Sequence, residues 1–240
     1  MTEINSFKKG LKDGLPICIG YFSVAFAFGI FATENGLTVF QATILSLTNL
    51  TSAGQLAAVP IITGGGSLAE LALSQIVINS RYSLMSVSLS QKFSPDVKLK
   101  DKLYISYANT DEIFAVSISQ KGEIGKKYML GLMIPPMVGW TTGTLAGALA
   151  GNILPAMVTA ALGLAIYGMF IAIVVPVAKK EKATALCVFI SVVLSCVFRY
   201  VPLLNKVPSG FTVIICAVVS AGILALVAPV KADEEVTENE

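Results

Sequence analysis

Long apolar runs, separated by short charged clusters, are the dominant pattern along the chain. The intervals without a charged residue are 14–33, 35–69, 128–178, 183–198 and 207–230, and the interval 71–91 contains only Arg81. A helix needs about 20 predominantly apolar residues to cross a bilayer. The 51 residues of 128–178 therefore predict two helices, with a break at 151–155, because the sequence GNILP combines glycine, asparagine and proline.

The stretch 35–69 is too long for one upright helix and too short for two full ones. Pro60 and three consecutive glycines after it predict a broken or re-entrant region near 60–66. Ser67 and Glu70 then have the spacing of a capping box. This spacing predicts that the next helix begins at that point.

Segment 103–120 is ambiguous because two adjacent carboxylates, Asp111 and Glu112, lie near its middle. Neighbouring residues on an α-helix point about 100° apart, so a continuous helix cannot aim both side chains at one partner. An asparagine and a threonine, both capping types, precede the two acids. We therefore predict a second broken or re-entrant region near 109–112. The alternative is an interfacial loop in which both acids are solvated.

Together these patterns predict an all-α integral membrane protein, a polytopic helical bundle of about eight transmembrane segments. The predicted segments are about 14–33, 37–63, 68–90, 103–120, 128–150, 156–178, 183–202 and 208–229. With a cytoplasmic N-terminus, ten of the fifteen lysines lie on the cytoplasmic side, which is the expected bias. If 68–90 and 103–120 were both re-entrant, six spans would remain and fourteen of the fifteen lysines would lie inside. Both termini are cytoplasmic in either arrangement.

A faint similarity between two apolar stretches raises the question of an internal repeat. The sequence GQLAAVP at 54–60 resembles MFIAIVVP at 169–176, and each lies in the second segment after a lysine cluster. Duplicated halves are common in secondary transporters, where broken helices at matching positions often mark the substrate site. A few matching residues also arise by chance in apolar sequence, so both interpretations stay open.

Composition agrees with a membrane location. Hydrophobic residues make up 55% of the chain, charged residues 13%, and the mean hydropathy is +0.76, whereas soluble domains are about 25% charged. The net charge of +2 combines +6 over residues 1–230 with −4 over the last ten. We expect a cytoplasmic segment at 1–13, a single transmembrane transporter domain at 14–230 and an acidic cytoplasmic tail at 231–240. The basic residues lie in short clusters, which argues against nucleic-acid binding.

The sequence lacks the residues that several kinds of chemistry require. It contains no histidine, and its four cysteines lie within apolar stretches without a Cys-x-x-Cys pair. Histidine-based triads and the common zinc motifs are therefore excluded, and we expect no metal or cofactor. No nucleophile motif is present either, so we do not expect an enzyme.

Arg81 is a polar residue that hydrocarbon would reject. It lies about midway between Ser67 and Ser94, so its side chain cannot readily reach an interface. An arginine at a helix centre costs roughly 2.5–3.5 kcal/mol on insertion scales. Either Arg81 forms an ion pair with Asp111 or Glu112 that sets the helix register, or it lies at the translocation path. In the second case one carboxylate pairs with Arg81, while the other titrates in a wet cavity and couples transport to protons.

A cluster of polar and small residues lies in the second predicted segment. Its members are Thr48, Asn49, Thr51, Ser52, Gly54 and Gln55. We expect them either to hold the amino and carboxylate groups of a zwitterion, as unwound helix segments do in transporters, or to form tight helix–helix contacts. In the third segment, Asn79 belongs to a polar stripe, which is typical of a helix inside a bundle.

Several of these residues also occur together, in order and at fitting distances, in a known family. The set consists of Gly54-Gln55, Asn79-x-Arg81, Asp111-Glu112-x-Phe114-Ala115 and Trp140. Nearly the whole chain resembles the AzlC family of bacterial branched-chain amino acid exporters. Thr51 and Ser52 stand where that family more often has apolar or small residues, a departure that concerns the substrate more than the fold.

The resemblance implies a multi-pass secondary transporter in the bacterial cytoplasmic membrane. It implies export of branched-chain amino acids, and in some members methionine, together with a small AzlD-like membrane subunit. We expect the substrate to be held near the bilayer midplane by the second segment and by Arg81 with its acidic partners.

The sequence leaves three alternatives to amino acid export. One is transport of another small carboxylate-bearing metabolite, with Arg81 pairing its carboxylate. Another is an intramembrane enzyme that uses Asp111 and Glu112 as acid and base, which the missing motifs oppose. A third is an assembly subunit without a path of its own, which the polar groups at membrane depth oppose.

Overall fold

The computed structural model describes residues 5–151 and 153–227, and helices account for most of them. The ten α-helices of this part of the chain are α1 (Phe7–Glu34), α2 (Val39–Thr48), α3 (Ser52–Thr63), α4 (Leu68–Ser90), α5 (Leu99–Tyr107), α6 (Asp111–Ser119), α7 (Lys126–Ala150), α8 (Ala156–Lys180), α9 (Lys182–Tyr200) and α10 (Ser209–Val227). A 3-10 helix at Leu204–Lys206 precedes α10. Over the described residues the only β-type pairing is one isolated bridge between Phe93 and Ile124. The predicted all-α fold class is confirmed.

Six predicted segments correspond to single helices. Segment 68–90 coincides with α4, and the Ser67 hydroxyl caps it by accepting the backbone N–H of Glu70 at 3.1 Å. The predicted break at 151–155 separates α7 from α8, although residue 152 lies outside the described residues. The first helix begins earlier than predicted, at Phe7, because the Ser6 hydroxyl caps it.

The other two predicted segments are each made of two shorter helices. The interruption at 108–110 separates α5 from α6 and confirms the break predicted near 109–112. The end of α3 at Thr63 agrees with the break predicted near 60–66. The prediction of one continuous helix over 37–63 was wrong, because the chain is extended at 49–51 between α2 and α3.

Three of the described helices are long and apolar enough to cross a membrane, and they are α1, α9 and α10. The helices α2 and α3 are apolar but shorter. The number of eight crossings stays a prediction. The acidic tail predicted at 231–240 lies outside the described residues.

The chain divides into two compact units, residues 1–169 and 170–240. In the first unit, α1 and α7 run in the same direction with their backbones in close contact. A Cβ added to Gly10 would lie 2.2 Å from the carbonyl oxygen of Tyr128, and one added to Gly147 would lie 2.0 Å from that of Phe26. Small residues at such positions let membrane helices approach closely. The beginnings of α1 and α7 therefore lie at the same end of the unit.

Polar contacts join the same two helices to α6. The Lys9 ammonium lies 2.6 Å from the Asp13 carboxylate and donates to the Gln120 side chain at 2.8 Å. The Tyr128 hydroxyl also donates to Asp13, at 2.8 Å. These contacts hold the C-terminal end of α6, where Gln120 is the cap residue, against the beginnings of α1 and α7.

In the second unit, α9 and α10 are joined by a hydrogen bond between the hydroxyls of Ser191 and Ser220, 2.9 Å apart. The internal repeat stays a prediction. Its two proline-containing stretches differ in structure, because the stretch 54–60 lies in the short helix α3, whereas Pro176 lies within the 25-residue helix α8.

Candidate functional site

Two helix interruptions, at 49–51 and 108–110, border the same cavity. Its volume is about 150 Å³. The lining residues come from the two interruptions, from the helix ends beside them and from α4. They are Thr48, Asn49, Leu50, Thr51, Asn79, Tyr82, Ser106, Tyr107, Asn109 and Thr110. All ten side chains are uncharged, and all except Leu50 are threonine, asparagine, serine or tyrosine.

Threonine caps explain why the helices restart where they do. Thr51 is extended, and its hydroxyl accepts the backbone N–H of Gly54 at 3.1 Å at the start of α3. Thr110 is also extended and accepts the backbone N–H of Ile113 at 3.5 Å at the start of α6. A threonine at this position satisfies an N–H group that has no partner within the helix. Both caps lie at the cavity wall.

Two side chains of α4 stabilise the first interruption. The Thr51 hydroxyl donates to Asn79 Oδ1 at 2.9 Å. Gln75 Oε1 accepts from Asn49 and Asn79, each at 3.2 Å, while Gln75 Nε2 donates to the Gly54 carbonyl at 2.9 Å. A Cβ added to Gly54 would lie only 2.5 Å from Gln75 Oε1, so the Gln75 amide could not keep its present position beside an alanine.

The two interruptions are also bonded to each other. The Tyr107 hydroxyl, at the end of α5, donates to the backbone carbonyl of Leu47 near the end of α2. Asn109 connects the second interruption to α4, because its Nδ2 donates to the Ser86 hydroxyl at 3.1 Å. The cavity is thus bordered by α4 and by the broken ends of four helices.

An ion pair lies beside the cavity. Arg81 Nη1 is 2.8 Å from Asp111 Oδ2, which selects Asp111 from the two acids that the sequence left open. The guanidinium also contacts Tyr82, with Nη2 donating to the hydroxyl at 3.1 Å and Cζ lying 4.8 Å from the ring centroid. The side chains of Arg81 and Asp111 are 50% and 47% exposed. If α4 crosses the membrane as the sequence predicts, this exposed pair requires surroundings of water or protein, because lipid would not tolerate the charges.

The second acid has a different partner. Glu112 accepts a hydrogen bond from the Tyr21 hydroxyl on α1, and that hydroxyl lies 2.7 Å from Thr110 Oγ1. The two adjacent carboxylates therefore contact different helices, as their angular separation on α6 requires. The start of α6 is tied to α4 through Asp111 and to α1 through Glu112.

Gln55 belongs to a buried hydrogen-bond network outside the cavity lining. Its Oε1 accepts from Trp140 Nε1 at 3.0 Å, and its Nε2 donates to Ser46 Oγ at 2.7 Å. The Ser46 hydroxyl is in turn 2.6 Å from that of Thr144. Every hydrogen-bonding atom of the amide is directed at α2 and α7, which indicates a structural contact between these helices and α3.

The structure brings only part of the predicted site to the cavity wall. The residues that line it are Thr48, Asn49, Thr51 and Asn79. The predicted site residues that do not line it are Ser52, Gly54, Gln55, Arg81, Asp111 and Glu112. Sequence reasoning did not assign Tyr82, Ser106, Tyr107, Asn109 or Tyr21 to the site. Asn109 carried a signal as a capping type, whereas Tyr21 lies in an uninterrupted apolar run and carried none.

Among the described residues, no group of three or more histidine, cysteine, aspartate or glutamate side chains is placed to hold a metal ion.

A model of the family described as AzlC protein matches residues 16–154, which is more than half of the chain and includes both interruptions. The chain belongs to the AzlC family.

Three relatives agree with membership of the AzlC family. The chain is 29% identical to Inner membrane protein YgaZ of Escherichia coli K12, over 76% of this chain and 77% of the relative. It is 32% identical to an Archaeoglobus fulgidus protein named "Uncharacterized membrane protein", over 77% of this chain and 82% of that protein. It is 21% identical to Branched-chain amino acid transport protein AzlC of Bacillus subtilis, over 74% of this chain and 70% of that protein. No solved structure matches the chain.

The AzlC family match and these relatives establish a membrane protein with a role in membrane transport, and they agree with a small-molecule substrate.

Proposed function

We propose that the chain is a secondary transporter that exports branched-chain amino acids from the bacterial cytoplasm, with a binding site between its two broken helix pairs. The observation that carries the proposal is that the interruptions at 49–51 and 108–110 border one cavity. In secondary transporters, broken helices of this kind present backbone groups to substrates near the bilayer midplane.

The helix ends at the cavity suit a zwitterion. α3 and α6 begin beside it, so their first N–H groups carry partial positive charge and favour a carboxylate. α2 and α5 end beside it, so their last carbonyls carry partial negative charge and favour an ammonium group. An α-amino acid carries one group of each kind.

The charges around the cavity favour an amino acid over a simple organic acid. The lining side chains are uncharged, and the guanidinium of Arg81 is already paired with Asp111. An anionic substrate would therefore find no free cationic side chain in the lining, whereas a zwitterion needs no net compensating charge. The volume of about 150 Å³ resembles that of engineered cavities that bind benzene, so the cavity has the size for a small metabolite.

The carboxylates at the start of α6 are the groups through which we propose proton coupling. Asp111 ties α6 to α4, and Glu112 ties it to α1. Protonation of either acid would weaken one of these ties, because a neutral carboxyl binds an arginine or accepts a hydrogen bond less strongly than a carboxylate does. Movement of α6 relative to α1 or α4 would then open the cavity to one side.

Orientation and partner are also part of the proposal. The beginnings of α1 and α7 lie together, which brings the lysine clusters at 8–12 and 126–127 to one side of the membrane, as the positive-inside rule requires of a cytoplasmic face. Both termini would then be cytoplasmic. The resemblance to the AzlC family supports a small AzlD-like subunit as partner, and the name of the Bacillus subtilis relative supports branched-chain amino acids as substrates.

Counterflow of labelled leucine in proteoliposomes tests the proposal. Vesicles loaded with unlabelled leucine should accumulate the label when they contain the chain together with the small subunit. Vesicles loaded with a dicarboxylate such as succinate serve as the control and should not accumulate it. Absence of leucine-dependent exchange both with and without the small subunit would contradict the proposal, and succinate-dependent exchange would favour transport of organic acids.

A further inference from the structure

A second cavity adjoins the one between the helix interruptions. Its volume is about 170 Å³, and it lies between α4 and α5. Ser106 and Asn109 line both cavities, so the two spaces meet at these residues.

The lining of the second cavity is mainly hydrocarbon. Leu89 and Ile105 are each only 1% exposed and form its inner wall, and Phe93 and Leu103 add further apolar surface. The ammonium of Lys102 lies 5.8 Å from the centroid of the Phe93 ring. The first cavity, in contrast, is lined mostly by hydroxyl and amide side chains.

Asn109 has a distinctive position where the cavities meet. Its side chain is buried, with 4% of the residue exposed, and its Nδ2 donates to Ser86. Its Oδ1 is buried and accepts no hydrogen bond from the described residues. Nearly all buried polar atoms in proteins have a partner, so a buried amide oxygen without one at a cavity wall marks where a ligand can donate a hydrogen bond.

We propose that the two cavities form one bipartite amino acid site, an inference that rests on the transport function proposed above. The ammonium and carboxylate groups of the substrate lie in the cavity between the interruptions. The aliphatic side chain lies in the cavity between α4 and α5. Asn109 Oδ1 accepts a hydrogen bond from the ammonium group at the boundary, where the Cα of the substrate joins its polar and apolar parts.

This arrangement assigns side-chain selectivity to Leu89 and Ile105. They close the inner wall of the apolar cavity, so their volume limits the length of the side chain that fits. Truncation of Ile105 would lengthen the cavity and admit larger side chains. One methylene group in such a pocket changes discrimination by about 10–200-fold, so the effect is large enough to measure.

Competition in the leucine counterflow assay tests the assignment. For Ile105→Ala, phenylalanine should compete against labelled leucine at least about tenfold better, relative to wild type. Ile76→Ala is the matched control, because Ile76 is 66% exposed on α4 and lines neither cavity. An unchanged phenylalanine-to-leucine ratio in Ile105→Ala, or the same change in Ile76→Ala, would overturn the assignment.

A second variant tests the amide of Asn109 and does not depend on the apolar wall. Asn109→Asp keeps the shape of the side chain and adds negative charge, so isoamylamine, which is leucine without its carboxylate, should compete more strongly than against wild type. No gain for isoamylamine would exclude the proposed ammonium contact. The outcomes distinguish a wrong binding site from a wrong transport function. If wild type exchanges leucine while both variants keep wild-type selectivity, the bipartite site is wrong and the transport function stands. If wild type exchanges no aliphatic amino acid, the transport function itself fails.

Discussion

Arg81 on α4 and Asp111 at the first position of α6 form an ion pair, with Nη1 2.8 Å from Oδ2. The pair joins a helix that lines the cavity to the helix that restarts beside it. The start of α6 is also tied to α1, because Glu112, the next residue, accepts from Tyr21. The angular step between neighbouring helical residues thus gives α6 one polar tie to each of two helices.

Removal of Arg81 should damage transport more than folding. In Arg81→Ala, Asp111 loses the partner that joins α6 to α4 beside the cavity. We expect leucine exchange to fall by at least about tenfold, which corresponds to about 1.4 kcal/mol in the transport barrier. Arg81→Lys should recover part of the exchange. Arg199→Ala, at the end of α9, is the control and should exchange normally. If thermal stability and expression collapse together in Arg81→Ala, the pair has a structural role.

Glu112 should be needed for the coupling of transport to protons rather than for leucine exchange itself. Glu112→Gln can still accept the Tyr21 hydrogen bond but cannot ionise, so leucine counterflow should persist while transport driven by a pH gradient is lost. Asp111→Asn should instead weaken both activities, because it also breaks the ion pair with Arg81. The measurement is labelled leucine flux with and without an imposed pH gradient. Equal responses of wild type and Glu112→Gln to the gradient would remove Glu112 from the coupling mechanism.

An alanine at position 54 should disturb the first interruption. In Gly54→Ala the new Cβ would lie 2.5 Å from Gln75 Oε1 and 3.0 Å from Thr51 Oγ1, so the contacts that hold the first interruption would have to shift. We expect a loss of about 1–3 kcal/mol in stability together with strongly reduced leucine exchange. Gly20→Ala, with no heavy atom within 4 Å of the added Cβ, is the matched control. Its thermal stability and leucine exchange should stay at the wild-type level or above, and equal behaviour of the two variants would contradict the role of Gln75.

Topology can be decided with two engineered cysteines. The eight-segment arrangement places Lys98 and Lys126 on opposite sides of the membrane, whereas the arrangement with re-entrant 68–90 and 103–120 places both in the cytoplasm. The backbone N–H of Ser94 donates to the carbonyl of Ile124 at 3.0 Å, so residues 98 and 126 lie at the same end of the first unit. We therefore expect neither Lys98→Cys nor Lys126→Cys to react with an impermeant maleimide added outside intact cells. Permeabilised cells, in which both should react, provide the control. Reaction of Lys98→Cys outside intact cells, while Lys126→Cys reacts only after permeabilisation, would favour the eight-segment arrangement.

Local signals predicted much of the fold. The cap at Ser67 defined the start of α4, and the asparagine, threonine and two acids around 109–112 indicated the second interruption. The first interruption was missed because its sequence contains neither proline nor glycine at 49–51. It depends instead on contacts from Gln75 and Asn79, which lie about 25 residues further along the chain.

The candidate site was predicted only in part, because it too depends on contacts between residues that are distant in the sequence. Thr48, Asn49 and Thr51 were predicted as site residues because they are polar and lie within an apolar stretch, and they do line the cavity. Gln55 was predicted as a site residue for the same reason. Its side chain instead forms hydrogen bonds with Trp140 and Ser46, which sequence spacing alone cannot reveal. The opposite wall, with Ser106 and Asn109, required knowledge of which helices lie together.

We propose that leucine occupies the space between the two helix interruptions, a claim that can be tested by protection of a cysteine in that space. The variant is Ser106→Cys in a background without the four native cysteines, and Ser119→Cys, exposed near the end of α6, is the control. Leucine at about ten times its Kd should slow maleimide labelling of Ser106→Cys about tenfold, because only the unoccupied site reacts. Labelling of Ser119→Cys should not change. Equal labelling rates of Ser106→Cys with and without leucine, in a preparation that exchanges leucine, would contradict the claim.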